Sequence, residues 1–100
     1  MKRLNVAVWG LGNHAQIRIL PAISSIDEIK LIGVCSRNTP IVESCSKLWG
    51  CYGWNNPNQM LSSIEVDIVY IAGPIGVHFS QAKQAIEAGK HVWSEKPLTC

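Results

Sequence analysis

A glycine-rich turn near the N-terminus has the residue types and spacing that can hold a diphosphate. Its pattern is G-x-G-x-x-A, and it directly follows a short apolar strand and opens a helix. Gly10 permits a tight turn, Gly12 leaves the backbone open to a phosphate, and Ala15 is small enough for close packing of helix on strand. Backbone amides at the helix start, including those of Asn13 and His14, would face the phosphates. The turn therefore predicts a dinucleotide-binding site.

The end of the second predicted strand indicates which dinucleotide is favoured. NAD sites usually have Asp or Glu there, which holds the ribose 2′-hydroxyl. This chain has Ser36 and Arg37 instead, and Asp27 and Glu28 precede the strand at its opposite end. A 2′-phosphate could hydrogen-bond Ser36 and pair with Arg37. We therefore predict NADP as the preferred cofactor, with NAD as the alternative, in which case Arg37 is an ordinary surface charge.

The elements that must position these residues alternate between strand and helix. Short β-branched runs predict the strands, and helical spacing with caps predicts the segments between them. The predicted strands are Leu4–Trp9, Lys30–Ser36, Cys51–Trp54, Asp67–Ala72 and His91–Ser94, and the predicted helices are His14–Ile26, Pro40–Trp49, Asn56–Ser63 and Val77–Ala88. This order predicts an α/β fold with a doubly wound parallel sheet (a Rossmann fold), truncated at about five strands.

Single residues should define the faces and ends of these helices. Ile17, Leu20 and Ile23 are expected on the buried side of the first helix, which Pro21 should kink or shorten. We further expect Ile41, Cys45 and Leu48 to share a face, Ala82, Ala85 and Ala88 to let the last helix approach the sheet, and Asn56, Gly50 and Gly89 to cap helices.

The composition limits the classes of function. The chain has 100 residues, of which 47% are hydrophobic and 16% charged, so it is a folded small domain rather than a disordered segment. Its net charge is only +2 and its basic residues are scattered, so we expect no nucleic-acid partner. No apolar run approaches the ~20 residues of a membrane span. Four cysteines without zinc-ligand spacing predict no metal site and reduced thiols in a cytoplasmic protein.

Three segments in the last third of the chain carry a family resemblance. They are A-x-P-x-x-x-H from Ala72, E-A-G-K-H-V from Glu87, and E-K-P from Glu95. With the glycine turn before them, and in this order and spacing, the chain resembles the glucose-fructose oxidoreductase / inositol dehydrogenase / MocA family over essentially its whole length. The resemblance implies an NAD(P)-dependent oxidoreductase that acts by hydride transfer on a sugar, polyol or related carbonyl or alcohol substrate.

The resemblance also implies roles for individual residues. Pro74 and His78 match a loop that passes near the cofactor. Glu95, Lys96 and Pro97 match a tripeptide beside the nicotinamide, whose lysine touches cofactor or substrate. Lys96 is therefore the expected catalytic residue, because a cation there can polarise a carbonyl or stabilise an alkoxide.

Members of this family are much longer than this chain. The resemblance implies that residues 1–100 are the NAD(P)-binding domain and that the C-terminal substrate domain is absent from this chain, so we expect these residues alone to be inactive. It also implies a small-molecule substrate and a homo-oligomer. Two alternatives stay open: a non-catalytic dinucleotide-binding or sensor module, and an NAD-dependent glycoside hydrolase domain.

Overall fold

A computed structural model describes residues 3–73 and 75–94 of the chain, with the side chains of residues 75–78 outside that description. In this part of the chain strands and helices alternate. The strands are β1 (Leu4–Trp9), β2 (Ile29–Cys35), β3 (Tyr52–Trp54), β4 (Ile68–Ile71) and β5 (His91–Ser94). The helices are α1 (Leu20–Ser24), α2 (Thr39–Trp49), α3 (Pro57–Ser62) and α4 (Ile75–Glu87), and a π-helical segment, Ala15–Ile19, directly precedes α1.

The five strands form one parallel sheet with the order β3-β2-β1-β4-β5. The chain first moves outward from β1 to β2 and β3, then returns to the other side of β1 with β4 and β5. The order therefore reverses beside β1, and open α/β sheets bind their ligands at such a switch point. The predicted parallel, doubly wound Rossmann fold is confirmed, and the bounds of β1 and β5 are those that the sequence predicted.

Both faces of the sheet are covered, which is why its strands are apolar on both sides. Val6 and Val8 of β1 belong to a buried cluster that the π-helical segment, α1 and α2 complete. Ala7 and Trp9 point the other way, into a second cluster that includes Met60 of α3. The strict alternation along β1 thus supplies two cores and fixes the strand at the centre of the domain.

β2 contains an irregularity opposite the middle of β1. Val6 pairs with Leu31, whereas its neighbour Ala7 pairs with Gly33, so Ile32 is an extra residue in β2. An inserted residue of this kind is a β-bulge, which bends a strand and changes the direction of its side chains. The bulge reverses the alternation of β2, so Leu31 before it and Val34 after it, three residues apart, both face the first core.

Gly33, at this bulge, makes room for an aromatic ring from the edge strand. A Cβ on Gly33 would lie 2.6 Å from Cη2 of Trp54 and 3.0 Å from the carbonyl oxygen of Tyr52. Trp54 packs against the second core. The missing side chain of Gly33 therefore lets β3 lie flat beside β2.

The first helix departs from the prediction. Residues 13–24 are continuously helical, so the helix passes through Pro21 and ends at Ser24, two residues before the predicted Ile26. The irregularity lies before the proline instead: the Leu20 N–H donates to the Ala15 carbonyl five residues back. The predicted face is also wrong at Ile17, which is 68% exposed, although Leu20 and Ile23 are buried as expected. A π turn rotates the residues that follow it about the helix axis. A prediction that uses regular α-helical spacing does not include this rotation.

The later helices agree with most of the predicted faces. Cys45 of α2 is buried and Ile41 packs against the same core, as expected, and Val42 joins them, whereas Leu48 is 76% exposed. Ala85 of α4 is fully buried beside the sheet, whereas Ala88 is exposed. In α2 the residue after Leu48, Trp49, packs against the same core as Cys45, so Leu48 lies beside the buried face rather than on it.

The predicted helix caps are confirmed. The Asn56 side chain accepts the Asn58 N–H at 2.8 Å at the start of α3. Gly50 and Gly89 follow α2 and α4 with φ of +62° and +80°, a conformation that glycine adopts without strain. These caps fix where the crossover helices stop and the next strands begin.

Three further expectations concern features spread over the chain. No helix in the described part of the structure is long and apolar enough to cross a membrane. Among the same residues, no group of three or more His, Cys, Asp or Glu side chains could hold a metal ion. Cys35, Cys45 and Cys51 are free thiols.

Candidate cofactor site

The carboxyl ends of the central strands meet at one edge of the sheet. Trp9, the last residue of β1, pairs with Cys35 of β2 and with Ile71 of β4, and Ile71 pairs with Ser94 of β5. The loops that follow these strands therefore start side by side. The Gly10 N–H continues the pairing, since it donates to the Cys35 carbonyl at 2.9 Å. The predicted glycine turn thus begins at the switch point of the sheet.

Gly10 has a conformation and a position that only glycine fits. Its φ is +109°, outside the range that other residues adopt readily. A Cβ on Gly10 would also lie 2.8 Å from the amide nitrogen of Gly73 and 3.1 Å from the carbonyl carbon of Ala72, both in the loop after β4. The first glycine therefore serves the tight turn, as predicted, and lets two loops of the edge pack backbone to backbone.

The rest of the glycine turn presents exposed backbone. Gly12, Asn13 and His14 are exposed, whereas Ala15 is 1% exposed and packs into the first core. A Cβ on Gly12 would meet nothing within 4 Å. Within residues 3–73 and 75–94, the N–H groups of Gly12 and Asn13 have no hydrogen-bond partner, while the Gly12 carbonyl accepts the Gln16 N–H at 3.1 Å. Open space beside free amides at a helix start fits a diphosphate.

The end of β2 offers a hydroxyl and a cation. The Ser36 N–H donates to the Trp54 carbonyl at 3.2 Å, and the Ser36 Oγ accepts the Asn38 N–H at 3.1 Å. That arrangement uses the hydroxyl as an acceptor and leaves its proton available to donate. The Arg37 side chain is exposed and has no ion pair with any described residue. Glu28 is at the opposite end of β2, where its carbonyl accepts the Leu4 N–H at 3.2 Å, so no carboxylate of that segment lies beside Arg37.

Five predicted site residues lie outside the described part of the chain. Pro74, Glu95, Lys96 and Pro97 are not described, and neither is the side chain of His78, whose backbone belongs to α4. The predicted loop and tripeptide roles therefore stay predictions.

The cysteines among the described residues bring no reactive thiolate to this edge of the sheet. Burial raises the pKa of Cys35, the last residue of β2, to about 11. Burial, together with the nearby Cys45, raises the pKa of Cys51 to about 11 as well. Because the thiolate is the reactive form, these cysteines are structural at neutral pH.

Sequence reasoning missed two residues that shape the site. Gly73 forms the other half of the close approach to Gly10, and only the pairing of β1 with β4 reveals it. Asn38 orients the Ser36 hydroxyl and also accepts the Ile41 N–H at 3.4 Å as the N-cap of α2. The sequence contained a signal for Asn38, because Asn two residues before Pro is a typical helix start.

Comparison with known proteins agrees with this geometry. Residues 4–100 match the sequence profile of the glucose-fructose oxidoreductase / inositol dehydrogenase / MocA family. This is an oxidoreductase family with an NAD-binding Rossmann fold. This chain belongs to that family. It is the NAD(P)-binding Rossmann domain typical of these oxidoreductases, and the resemblance stated from its motifs is confirmed.

Individual relatives are similar over nearly the whole chain. The dTDP-3,4-didehydro-2,6-dideoxy-alpha-D-glucose 3-reductase of Streptomyces violaceoruber is 32% identical over 99 residues, which are 99% of this chain. The D-glucoside 3-dehydrogenase of Escherichia coli strain K12 is 28% identical over 94% of it. A 3-ketoreductase from Actinomadura kijaniata, solved in complex with TDP-benzene and NADP, superposes with a TM-score of 0.91 at 30% identity over 98% of the chain.

The chain spans only a fraction of these relatives. It covers 29% of the Streptomyces reductase, 27% of the Escherichia dehydrogenase and 31% of the Actinomadura ketoreductase. The family resemblance therefore concerns the nucleotide-binding part of proteins that are about three times as long.

Proposed function

We propose that this chain is the cofactor-binding part of an NADP-dependent oxidoreductase that acts on a sugar or a related polyol. The observation that carries the proposal is the open backbone at Gly12, which follows β1 at the switch point of the sheet. Ser36 and Arg37 add a hydroxyl and a cation at the end of the neighbouring strand. The bound cofactor would supply the hydride or accept it.

The glycine turn would hold the diphosphate. The exposed amides of Gly12 and Asn13 would donate to its oxygens, with His14 at the rim of the same turn. Gly10 would keep the turn close to the β4 loop, and Ala15 would anchor the start of the helix in the core. The role of this segment is therefore to bind and orient the cofactor at the sheet edge.

Cofactor choice would depend on the end of β2. The Ser36 hydroxyl, oriented by the Asn38 N–H, would donate to a ribose 2′-phosphate, and the Arg37 guanidinium would pair with its charge. The NADP bound to the Actinomadura ketoreductase supports the same choice. NAD is the alternative if Arg37 is only a solvated surface charge.

Lys96 is the residue that we propose to contact the reacting carbonyl or alcohol. It follows β5 in the chain, and β5 ends at Ser94 beside Ile71 of β4. A cation beyond that strand end could polarise a carbonyl or stabilise an alkoxide. Glu95 and Pro97 would orient it, and Pro74 and His78 would border the cofactor from the loop after β4.

The proposed substrate is a small molecule of the sugar or polyol class. The Streptomyces reductase is named for a dTDP-linked deoxyhexose and the Escherichia dehydrogenase for a D-glucoside. The substrate pocket would lie in a further domain of the full-length protein, because the relatives that this chain matches are about three times as long. We also propose that the full-length protein is a cytoplasmic homo-oligomer, which the free thiols of the described cysteines support for the compartment.

Cofactor titration of the full-length protein tests the proposal. We expect NADPH to bind more tightly than NADH, as measured by quenching of tryptophan fluorescence. We also expect sugar-dependent oxidation of NADPH that Lys96→Ala abolishes while NADPH still binds. Binding of neither cofactor would refute the proposal, and NADH binding tenfold more tightly than NADPH would refute the choice of NADP.

The same assay separates the two alternatives. A sensor module would bind NADPH but show no turnover with any sugar, and Lys96→Ala would then change nothing. A glycoside hydrolase would release sugar without net change in the cofactor, which absorbance at 340 nm would reveal.

A further inference from the structure

The buried side chains of the first helix have an unusual spacing. Ala15, Ile19, Leu20 and Ile23 are all at most 7% exposed, and they stand at positions i, i+4, i+5 and i+8. A regular α-helix that packs one face on a sheet buries positions i, i+3, i+4, i+7 and i+8, so Leu20 at i+5 is the exception. At about 100° per residue, Leu20 would point about 140° away from Ala15 in a regular α-helix.

The π turn brings Ala15 and Leu20 closer together around the helix axis. The Leu20 N–H bonds to the Ala15 carbonyl across five residues rather than four, so the turn is wider than an α-helical turn. Ile17 lies within this turn and is 68% exposed, while Ala15 before it and Leu20 after it are both buried. The wider turn thus allows both ends of the helix to face the same core.

Pro21 disfavours a return to regular α-helix in this segment. Proline has no N–H to donate to the carbonyl four residues back, and in an α-helix its ring collides with that carbonyl, here the one of Ile17. The helix nevertheless continues through Pro21 to Ser24, and the Pro21 carbonyl accepts the Ser25 N–H at 3.1 Å. The proline therefore selects the widened turn without ending the helix.

The widened turn begins at Ala15, the last residue of the glycine turn. Ala15 is 1% exposed, and the two residues before it carry the exposed backbone of the candidate cofactor site. If the helix returned to regular α geometry, Ala15 and Leu20 would point about 140° apart, so they would lie at opposite flanks of the buried face. Leu20 and Ile23 bury far more apolar surface than Ala15, so the Ala15 end would rotate.

We propose that Pro21 is a positioning residue for the cofactor: through the π turn it fixes Ala15 on the sheet and thereby directs the amides of Gly12 and Asn13 at the diphosphate. This inference rests on the diphosphate position proposed above. It assigns a binding role to a residue that lies two helical turns from the glycine motif.

Replacement of the proline in the full-length protein tests this role. Pro21→Ala restores an N–H and removes the collision, so the helix can take up regular α geometry. We expect the Kd for NADPH to rise about tenfold, the effect of losing one hydrogen bond to a charged group. The Kd for adenosine 2′-monophosphate, which has no diphosphate, should not change. General damage to the domain would instead weaken the binding of both ligands.

A second variant restores the register and should rescue binding. Pro21→Ala combined with deletion of Ile17 gives a regular α-helix whose sheet-facing residues stand at i, i+3, i+4 and i+7. We expect NADPH affinity to return to within about twofold of wild type. Pro57→Ala, which removes a proline from the start of α3, is the matched control and should leave both ligands unaffected.

The possible results separate this role from the cofactor site itself. Three results would each overturn the role of Pro21: unchanged NADPH affinity in Pro21→Ala, an equal loss of affinity for NADPH and adenosine 2′-monophosphate, or no rescue of NADPH affinity by the deletion. If Pro21→Ala does not fold, the deletion variant alone is decisive. NADPH affinity within about twofold of wild type would support the role of Pro21, and a lower affinity would overturn it. Failure of the wild-type protein to bind NADPH would instead refute the proposed function.

Discussion

Gly10 and Gly73 approach each other so closely that a Cβ on Gly10 would lie 2.8 Å from the Gly73 amide nitrogen. The contact joins the loop after β1 to the loop after β4, and these two strands are neighbours in the sheet. It therefore lies at the point where the strand order reverses. Gly10 allows the two loops to pack closely there, while Gly12, two residues later, leaves the surface open.

Gly10→Ala should destabilise the fold strongly. The substitution combines backbone strain at φ +109°, worth about 1–3 kcal/mol, with a collision against the β4 loop, worth a further ~1–3 kcal/mol. Unfolding in urea, followed by circular dichroism, measures the sum. Gly50→Ala is the control, because Gly50 has φ +62° but nothing within 4 Å of its Cβ position. An equal loss in the two variants would contradict the role of the contact with Gly73.

Gly12→Ala should do the opposite: spare the fold and impair binding. Its Cβ meets nothing within 4 Å and its φ is not positive, so the free energy of unfolding should change by less than about 1 kcal/mol. A methyl group there would keep a phosphate away from the amides, and NADPH affinity should fall about tenfold or more. Isothermal titration calorimetry together with urea unfolding separates the two effects. Unimpaired NADPH binding would show that the diphosphate lies elsewhere.

Arg37→Ala should change cofactor preference rather than cofactor binding as a whole. The exposed guanidinium can pair with a 2′-phosphate, and loss of such a charged hydrogen bond costs about 1.5–3 kcal/mol, or roughly 10–100-fold in Kd. We expect that loss for NADPH and no change for NADH. Lys47→Ala, which removes an equal charge from the last turn of α2, is the control. Equal effects on NADPH and NADH would mean that Arg37 does not contact the 2′-phosphate.

Features that depend on local chemistry were predictable from the sequence. The β-branched run of β1, the cap Asn56 and the helix end at Gly50 follow from residue type, and the glycine turn was recognisable because strand, turn and helix are contiguous. The contact of Gly10 with Gly73 was not predictable, because it depends on which strands pair. The exposure of Ile17 was mispredicted for another reason: a regular α-helix has 3.6 residues per turn, whereas the π turn that contains Ile17 is wider.

Stability should decrease at alkaline pH through the buried thiols. Burial raises the pKa of Cys35 and of Cys51 from 9.0 to about 11, so the unfolded chain loses these protons before the folded chain does. The stabilisation is therefore complete below pH 9 and is lost progressively between about pH 9 and pH 11. Urea unfolding at pH 8, 9.5 and 11 measures the decline. Cys51→Ser, with no thiol to titrate at that position, should show a shallower decline than wild type; identical slopes would contradict the assignment.

Gly33→Ala should destabilise the edge of the sheet, and Trp54 should account for much of the effect. The added Cβ would lie 2.6 Å from Cη2 of the Trp54 ring and 3.0 Å from the Tyr52 carbonyl oxygen, and overpacking of this kind costs about 1–3 kcal/mol. A smaller side chain at position 54 removes the first contact but not the second. Gly33→Ala should therefore cost less in a Trp54→Leu background than in wild type, in a double-mutant cycle of urea unfolding.

The same cycle tests whether β3 supports the cofactor end of β2. The Trp54 carbonyl accepts the Ser36 N–H at 3.2 Å, so a displaced β3 should also displace Ser36. We expect Gly33→Ala to weaken binding of adenosine 2′-monophosphate, and the Trp54→Leu background to restore part of that affinity. If Gly33→Ala costs the same stability in both backgrounds, the ring is not what the glycine accommodates. If stability is coupled but nucleotide affinity is not, the Ser36 position does not depend on β3.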